Sequence, residues 1–109
     1  MARYPRPGRA VRGSRTGRPI MALLDVLGQR WTLRVIWELR DGRLTFRALQ
    51  EACGGMSPTV LNGRLKVLRD GELVDAVGSE GYGLTPLGRE LLDVLQPVAA
   101  WARRWARRP

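Results

Sequence analysis

The sequence predicts a mainly α-helical fold of the α+β class, in which one short β-hairpin interrupts a series of helices. Two hydroxyl-proline pairs, Ser57-Pro58 and Thr85-Pro86, are typical helix starts, because the hydroxyl caps a free backbone N–H and proline at the first position loses no hydrogen bond. Between these helices, the segment from Gly78 to Gly81 separates two short strand-like runs, which indicates a hairpin. With 109 residues and one hydrophobic pattern, the chain is expected to form a single domain with tails.

The helix that begins at Ser57 has one apolar face and one polar face. Leu61, Leu65 and Leu68 recur at helical spacing and are predicted to be buried. The opposite face carries short to medium, hydrogen-bonding and net positive side chains, namely Thr59, Asn62, Lys66 and Arg69. Such a face suits the base edges and phosphates of a DNA major groove.

A shorter helix is predicted ahead of it, from Thr45 to Ala52, with Cys53-Gly54-Gly55-Met56 as the intervening turn. Two helices joined by a tight glycine turn form a helix-turn-helix. After Asp70-Gly71 ends the second helix, strands are predicted over residues 73–77 and 82–85, and a long helix then starts at Thr85-Pro86. This order of elements is a winged helix-turn-helix with a short β-hairpin wing, a layout typical of nucleic-acid binding.

The first and last helices are predicted to be dimerisation helices, because each carries more apolar surface than one small core needs. The candidate residues are Ile20, Leu23, Leu24 and Leu27 in the first helix and Leu91, Leu95, Val98, Trp101 and Trp105 in the last. Tryptophans near a chain end are costly to expose and commonly anchor interfaces. Pro97 removes a helical hydrogen bond, so a kink or a new helix start is expected near Gln96. The second helix is expected to place core residues at Trp31, Val35, Ile36 and Leu39.

Five segments together resemble the HxlR-type winged helix-turn-helix transcription regulators of bacteria over roughly residues 19–101. They are Leu27-Gly28-Gln29-Arg30-Trp31, Phe46-Arg47-Ala48-Leu49, Ser57-Pro58-Thr59-Val60-Leu61 with Arg64-Leu65, Asp70-Gly71-Glu72-Leu73-Val74 and Leu84-Thr85-Pro86-Leu87-Gly88. The resemblance implies a homodimer on a two-fold symmetric operator of double-stranded DNA. It also implies that the Ser57 helix enters the major groove and that the hairpin lies near the minor groove.

The chain departs from that family's pattern at two places. Family hairpins are usually longer, with basic or proline-containing tips, whereas Gly78-Ser79-Glu80-Gly81 is short and acidic. Some members sense electrophiles or oxidants through a cysteine just before a proline at the start of the first helix, where this chain has Arg18-Pro19. Its only cysteine, Cys53, lies before the glycine turn and is expected to be a buried structural thiol.

Within the predicted recognition helix, residues 57–69, Thr59 and Asn62 are the candidates for contacts to base edges. Lys66 and Arg69 are the candidates for contacts to phosphates. The other DNA-binding candidates are Thr45, Arg47, Ser57, Pro58 and Arg64. Arg64 lies nearer the buried edge, where it binds either a carboxylate of the fold or a phosphate. Gly63 lowers helix propensity by about 1 kcal/mol relative to alanine, so either the backbone approaches DNA there or the helix is weaker.

Charge is concentrated in the tails. The net charge is +9, but residues 1–18 hold six arginines and no acid, residues 103–108 hold four more arginines, and the remainder has nine basic and ten acidic residues. Residues 1–18 are therefore predicted to be a disordered tail and residues 19–106 the folded domain. The tail is either an arm along a DNA groove or a by-product of a GC-rich genome, such as a mis-called start before Met21. The C-terminal arginines either contact DNA or solubilise the chain.

Other classes of function find little support in the sequence. There is no histidine, one cysteine and no glycine-rich phosphate loop, so no enzyme, metal site or cofactor is predicted, and no membrane span. We expect a cytoplasmic, nucleoid-associated DNA-binding regulator, a repressor because occupancy of a promoter blocks polymerase, with any small-molecule effector undetermined. The alternatives are a sequence-tolerant architectural DNA-binding protein that uses its arginine-rich tails and a winged-helix module that binds a protein partner.

Overall fold

The computed structural model describes residues 18–108, so residues 1–17 of the predicted arginine-rich tail lie outside the described residues. The helices, numbered in chain order, are α1 (Pro19–Leu27), α2 (Thr32–Glu38), α3 (Phe46–Ala52), α4 (Pro58–Asp70) and α5 (Pro86–Ala106). Strands β1 (Val74–Val77) and β2 (Gly81–Leu84) form the hairpin between α4 and α5, joined by the short 3-10 turn Gly78–Glu80. This is the predicted winged helix-turn-helix, with the helix-turn-helix formed by α3 and α4.

Helix α4 lies at the centre of the core. Its leucines Leu61, Leu65 and Leu68 are buried, as their spacing predicted. They belong to one hydrophobic cluster with residues from α2, α3, β1 and α5, including Val35, Ile36, Leu39, Leu49, Val74 and Leu92. Apolar side chains from these four elements are buried against α4, and this burial fixes the position of α4 relative to them.

Hydroxyl caps form at three helix starts, the two predicted at Ser57 and Thr85 and a third at Thr45. The side chains of Thr45, Ser57 and Thr85 accept hydrogen bonds from the backbone N–H groups of Ala48, Val60 and Gly88, at 3.2, 3.2 and 3.0 Å. Each hydroxyl satisfies one of the backbone donors that a helix start leaves without a partner. The three caps define where α3, α4 and α5 begin.

The hairpin is anchored to the segment ahead of α3 as well as to itself. Strands β1 and β2 pair antiparallel with Val74 opposite Leu84 and Val77 opposite Gly81. Leu44 adds an isolated antiparallel bridge to Tyr82, with backbone hydrogen bonds of 2.8 and 2.9 Å. The wing is therefore held against the helix-turn-helix by backbone pairing on its inner edge.

Some predicted boundaries and one element assignment were wrong. Trp31 does not belong to the second helix; it precedes α2 in the left-handed region, with φ of 76°. Its side chain is half-buried against the core, so the prediction of a core contact holds. Leu73 precedes β1 because its backbone N–H still closes the end of α4 on the carbonyl of Leu68, and Gly81 rather than Tyr82 begins the second strand.

Of the kink and the new helix start predicted near Gln96 as alternatives, the new helix start does not occur. Helix α5 continues from Pro86 to Ala106 with Pro97 inside it. Proline removes the hydrogen bond to the carbonyl four residues earlier, which belongs to Asp93. Both Asp93 and Pro97 are exposed, so water can satisfy that carbonyl and the helix continues through the proline.

Candidate nucleic-acid interface

The turn between α3 and α4 is built from two glycines and one side-chain tie. Gly54 and Gly55 have φ of 77° and 78°, in the left-handed region that a residue with a Cβ rarely adopts. Gln50 of α3 donates through Nε2 to the carbonyl of Met56 at 2.9 Å, across the turn. Leu49 of α3 and Leu61 of α4 are both fully buried. The two helices are thus held as one rigid unit.

The polar side chains predicted for α4 lie together on its outer face. Thr59, Asn62, Lys66 and Arg69 are all exposed, while the leucines on the opposite side fill the core. Lys66 has one partner nearby, the carboxylate of Asp70 at 3.4 Å. The face therefore offers a hydroxyl, an amide and two cations to a ligand outside the protein, the chemical set that base edges and phosphates require.

Arg64 lies on the other side of α4 and faces the fold. Its Nη1 donates to the amide oxygen of Gln29, in the connection between α1 and α2. Its Nε is buried without a hydrogen-bond partner in the described part of the chain. The partner of Arg64 inside the fold is thus an amide oxygen, whereas the sequence left a carboxylate and a phosphate as alternative partners. The hydrogen bond fixes the α1–α2 connection to α4.

The remaining predicted DNA contacts lie at the starts of α3 and α4. Thr45, Ser57 and Pro58 are exposed, and the two hydroxyls serve as caps. Arg47 is the second residue of α3, almost fully exposed, with Nε 3.8 Å from Oε1 of Glu51. Ser57 and Pro58 therefore adjoin the polar face of α4, while Thr45 and Arg47 lie at the start of α3.

A groove of about 850 Å³ separates α4 from the hairpin. Its α4 wall includes Asn62, Lys66 and Arg69, and its hairpin wall includes Asp75 and Tyr82. The hairpin tip, Gly78–Glu80, is exposed and carries one charge, that of Glu80. The short acidic tip expected from the sequence is therefore present, and the cations that line the groove belong to α4.

Arg43 holds the hairpin and was missed from the sequence. It pairs through Nη2 with Asp75 of β1 and donates through Nη1 to the carbonyl of Gly81 at 3.1 Å. Arg43 and Asp75 are 32 residues apart in the sequence, and neither lies in a recognisable motif. Only the packed fold brings them together, so no local pattern could have identified Arg43.

The predicted dimerisation residues differ in how far the folded chain already covers them. Ile20, Leu24, Val98, Trp101 and Trp105 are each more than half exposed. Leu27 and Leu91 are instead partly buried against the core, and Leu23 and Leu95 are also half-buried. Trp101 and Trp105 stack with ring centroids 5.9 Å apart. An open apolar pocket of about 220 Å³ lies beside them between α2 and α5, lined by residues such as Leu33, Trp37 and Val98.

Cys53 is a buried thiol, as expected. It is 3% exposed, and burial raises the pKa of its thiol, with the charge of Glu38 raising it further and that of Arg34 opposing both. Since the thiolate is the reactive form, a raised pKa and a covered sulfur make this residue a poor nucleophile.

We expect iodoacetamide at neutral pH to modify Cys53 roughly tenfold or more slowly in the native protein than in the chain unfolded in urea. The rate of thiol loss, followed by mass spectrometry, measures this directly. The rate in the native protein should rise as pH increases, because the thiolate forms only above the raised pKa. Equal rates in the native and unfolded chains would contradict burial of the thiol.

Within residues 18–108, no group of three or more potential metal-ligating side chains comes together. Over the same range, none of the helices is long and apolar enough to span a membrane.

Comparison with known proteins places this geometry in a family. A family profile described as HxlR-like helix-turn-helix matches residues 26–109. The chain belongs to the HxlR family. Among proteins of known sequence, it is 30% identical over 89 residues to the helix-turn-helix transcriptional regulator MJ0925 of Methanocaldococcus jannaschii, covering 78% of this chain and 83% of that one.

Solved structures agree with the HxlR assignment. Quinone-bound YodB from Bacillus subtilis superposes with a TM-score of 0.72 at 32% identity, covering 78% of this chain and 96% of that one. A possible HxlR family transcriptional factor from Thermoplasma volcanium gives a TM-score of 0.72 at 29% identity, covering 83% and 86%. The protein is accordingly a DNA-binding transcriptional regulator, and the HxlR proteins it matches are named as regulators rather than as enzymes.

Proposed function

We propose that this chain is a homodimeric repressor that reads a two-fold symmetric operator with α4 in the major groove. The observation that carries the proposal is the outer face of α4, where Thr59, Asn62, Lys66 and Arg69 stand exposed on a helix whose other side fills the core. A helix fixed in this way presents its side chains at defined positions, which base-specific contact requires. Such a protein would act on the nucleoid, in the cytoplasm.

In this proposal the side chains divide by role. Thr59 and Asn62 contact base edges, since an amide can pair with adenine through two hydrogen bonds and a hydroxyl can serve either base type. Lys66, Arg69 and Arg47 bind phosphates, and the capped starts of α3 and α4, with Thr45, Ser57 and Pro58, approach the backbone. Arg64 acts indirectly, by holding α4 through Gln29.

Dimerisation is proposed to use α1 and the distal half of α5. Ile20 and Leu24 of α1, with Val98, Trp101 and Trp105 of α5, leave large apolar side chains open to solvent. Exposed apolar surface of this kind is costly in a soluble chain and is typical of interfaces. A second copy would place a second α4 at a fixed distance from the first, which matches a two-fold operator. Repression follows if that operator overlaps a promoter.

We expect Asn62→Ala to remove most of the preference for the operator. A duplex recovered by the protein from a random library should compete against bulk random duplex by about a hundredfold or more in the wild type, and the loss of one bidentate base contact should reduce that ratio by about tenfold or more. Competition binding at two salt concentrations measures both ratios. Lys66→Ala is the matched control, because loss of a phosphate contact should weaken binding to both duplexes alike.

The same assay distinguishes the other functions. If selection recovers no preferred duplex and binding is uniform and sensitive to salt, the protein is a sequence-tolerant architectural protein rather than a sequence-specific regulator. No binding to any duplex by a folded dimer would favour a protein-interaction module.

A further inference from the structure

Outside the two arginine-rich ends, most cations of the chain are paired with carboxylates. Residues 19–102 contain nine basic side chains, and five of them form ion pairs in the described structure: Arg34, Arg40, Arg43, Arg47 and Lys66. Arg34 and Arg43 also donate to backbone carbonyls of other elements, and Arg40 donates to the carbonyl of Trp37 at the end of α2. The pairs of Arg47 and Lys66 instead lie on the exposed surface of α3 and α4, the two helices proposed to face DNA.

A phosphate can displace the carboxylate in each of these two surface pairs. Lys66 Nζ lies 3.4 Å from Asp70 Oδ2, and Arg47 Nε lies 3.8 Å from Glu51 Oε1. All four side chains are at least 40% exposed, so water and salt screen the attraction. In both pairs the cation precedes the acid by four residues, which is the less favourable order along a helix.

Helix stability does not explain the two acids. Asp70 is the last residue of α4, and Glu51 is the last but one of α3. The C-terminal end of a helix carries partial negative charge, which disfavours a carboxylate there. Both acids therefore lie where the helix dipole disfavours a carboxylate, while each neutralises a cation on the proposed DNA-binding surface.

We infer that Glu51 and Asp70 attenuate DNA affinity by competing with phosphates for Arg47 and Lys66. This inference rests on the proposed function. When a phosphate replaces the carboxylate, the free energy gained is only the difference between the cation–phosphate contact and the cation–carboxylate contact. The released carboxylate is also left near the negatively charged DNA backbone. The exchange occurs on any duplex, so affinity falls in parallel for operator and random DNA. Discrimination is left to Thr59 and Asn62.

Arg69 provides an internal contrast. It lies on the same face of α4 and has no carboxylate within ion-pair distance in the described part of the chain. A phosphate contact from Arg69 needs no exchange. Loss of Arg69 should therefore reduce affinity more than loss of Lys66.

The test compares Glu51→Gln, Asp70→Asn and the double variant with the wild type on the selected operator and on random duplex. Each single variant should bind both duplexes about two- to fivefold more tightly, with an unchanged ratio between them. The slope of log K against log salt concentration should become steeper by up to about 0.9 for each acid removed. In the wild type, each carboxylate that DNA displaces takes up a cation from solution, and the variants lose this uptake. In the same assay, Arg69→Ala should lower affinity more than Lys66→Ala does.

Asp93→Asn on α5 is the matched control, since it makes the same change in net charge at an exposed acid outside any ion pair of residues 18–108. It should change affinity by less than the two test variants. The inference is overturned if Glu51→Gln and Asp70→Asn match Asp93→Asn, if they weaken binding, or if they change the operator-to-random ratio. If the wild type binds no duplex, the proposed function fails instead.

Discussion

Replacing Gly88 with alanine is expected to destabilise the protein by about 3 kcal/mol, the upper end of the usual cost of overpacking. Gly88 is the third residue of α5, and a Cβ built on it would lie 2.0 Å from the carbonyl oxygen of Leu73. That oxygen belongs to the backbone and already accepts the N–H of Thr85 at 3.1 Å. It cannot move aside without separating the start of α5 from the end of α4.

The junction around Gly88 makes this cost difficult to relieve. Thr85 caps the N–H of Gly88 and also donates its hydroxyl to the carbonyl of Glu72 at 2.6 Å. Glu72 itself is held in the left-handed region with φ of 62°. A shift of α5 would therefore break a cap, a backbone hydrogen bond and the end of α4 together.

Thermal unfolding at matched protein concentration checks this expectation, because the proposed dimerisation would make the melting temperature depend on concentration. Gly88→Ala should lower Tm by roughly 15 °C. Gly63→Ala is the matched control: Gly63 lies inside α4, and within residues 18–108 an added Cβ would meet no atom within 4 Å beyond the neighbouring backbone of its own helix. It should raise stability by about 1 kcal/mol, the difference in helix propensity. Similar Tm changes in the two variants would contradict the close packing at Gly88.

Gly63→Ala also separates the two interpretations that the sequence left open. Open space around an added Cβ in the free protein means that this fold does not require glycine there. A variant that is more stable and binds operator equally well would mark Gly63 as only a weak point of the helix. A more stable variant with reduced operator affinity would show that the backbone of α4 approaches DNA closely.

The elements that the sequence predicted correctly depend on local signals. Ser57-Pro58 and Thr85-Pro86 specify helix starts within a few residues, and the caps form as expected. The leucine spacing in α4 determines which side is buried, and therefore which side is left exposed. These features need no knowledge of the tertiary fold, since each arises from neighbouring residues along one helix.

What could not be predicted depends on contacts between distant segments. The pairing of Arg43 with Asp75 and the bond from Arg64 to Gln29 join residues that are 32 and 35 positions apart. Their partners are set by the packing of the hairpin and of α1 around α4. The left-handed conformation of Trp31 likewise reflects how the chain must turn to pack its ring on the core. The sequence-based prediction assigned Trp31 to the second helix instead.

Substituting both Trp101 and Trp105 with alanine is expected to weaken the proposed dimer by more than a hundredfold, about 3 kcal/mol for a central aromatic pair. The two rings stack with an interplanar angle of 10° and are 53% and 57% exposed. From Val94 to the end of α5, no residue is buried in the folded chain. The tryptophans therefore add little to the stability of one protomer, and their apolar surface is available to a second.

Sedimentation equilibrium over a range of concentrations measures the dimer Kd, and Leu87→Ala is the matched control. Leu87 is also on α5 and 51% exposed, but it lies in the first turn, away from the proposed interface. The control should leave Kd unchanged, whereas the double tryptophan variant should become monomeric at micromolar concentration. Its operator binding should weaken too, because two half-sites then bind two independent chains. A double variant that associates as tightly as Leu87→Ala would show that the protomers meet elsewhere.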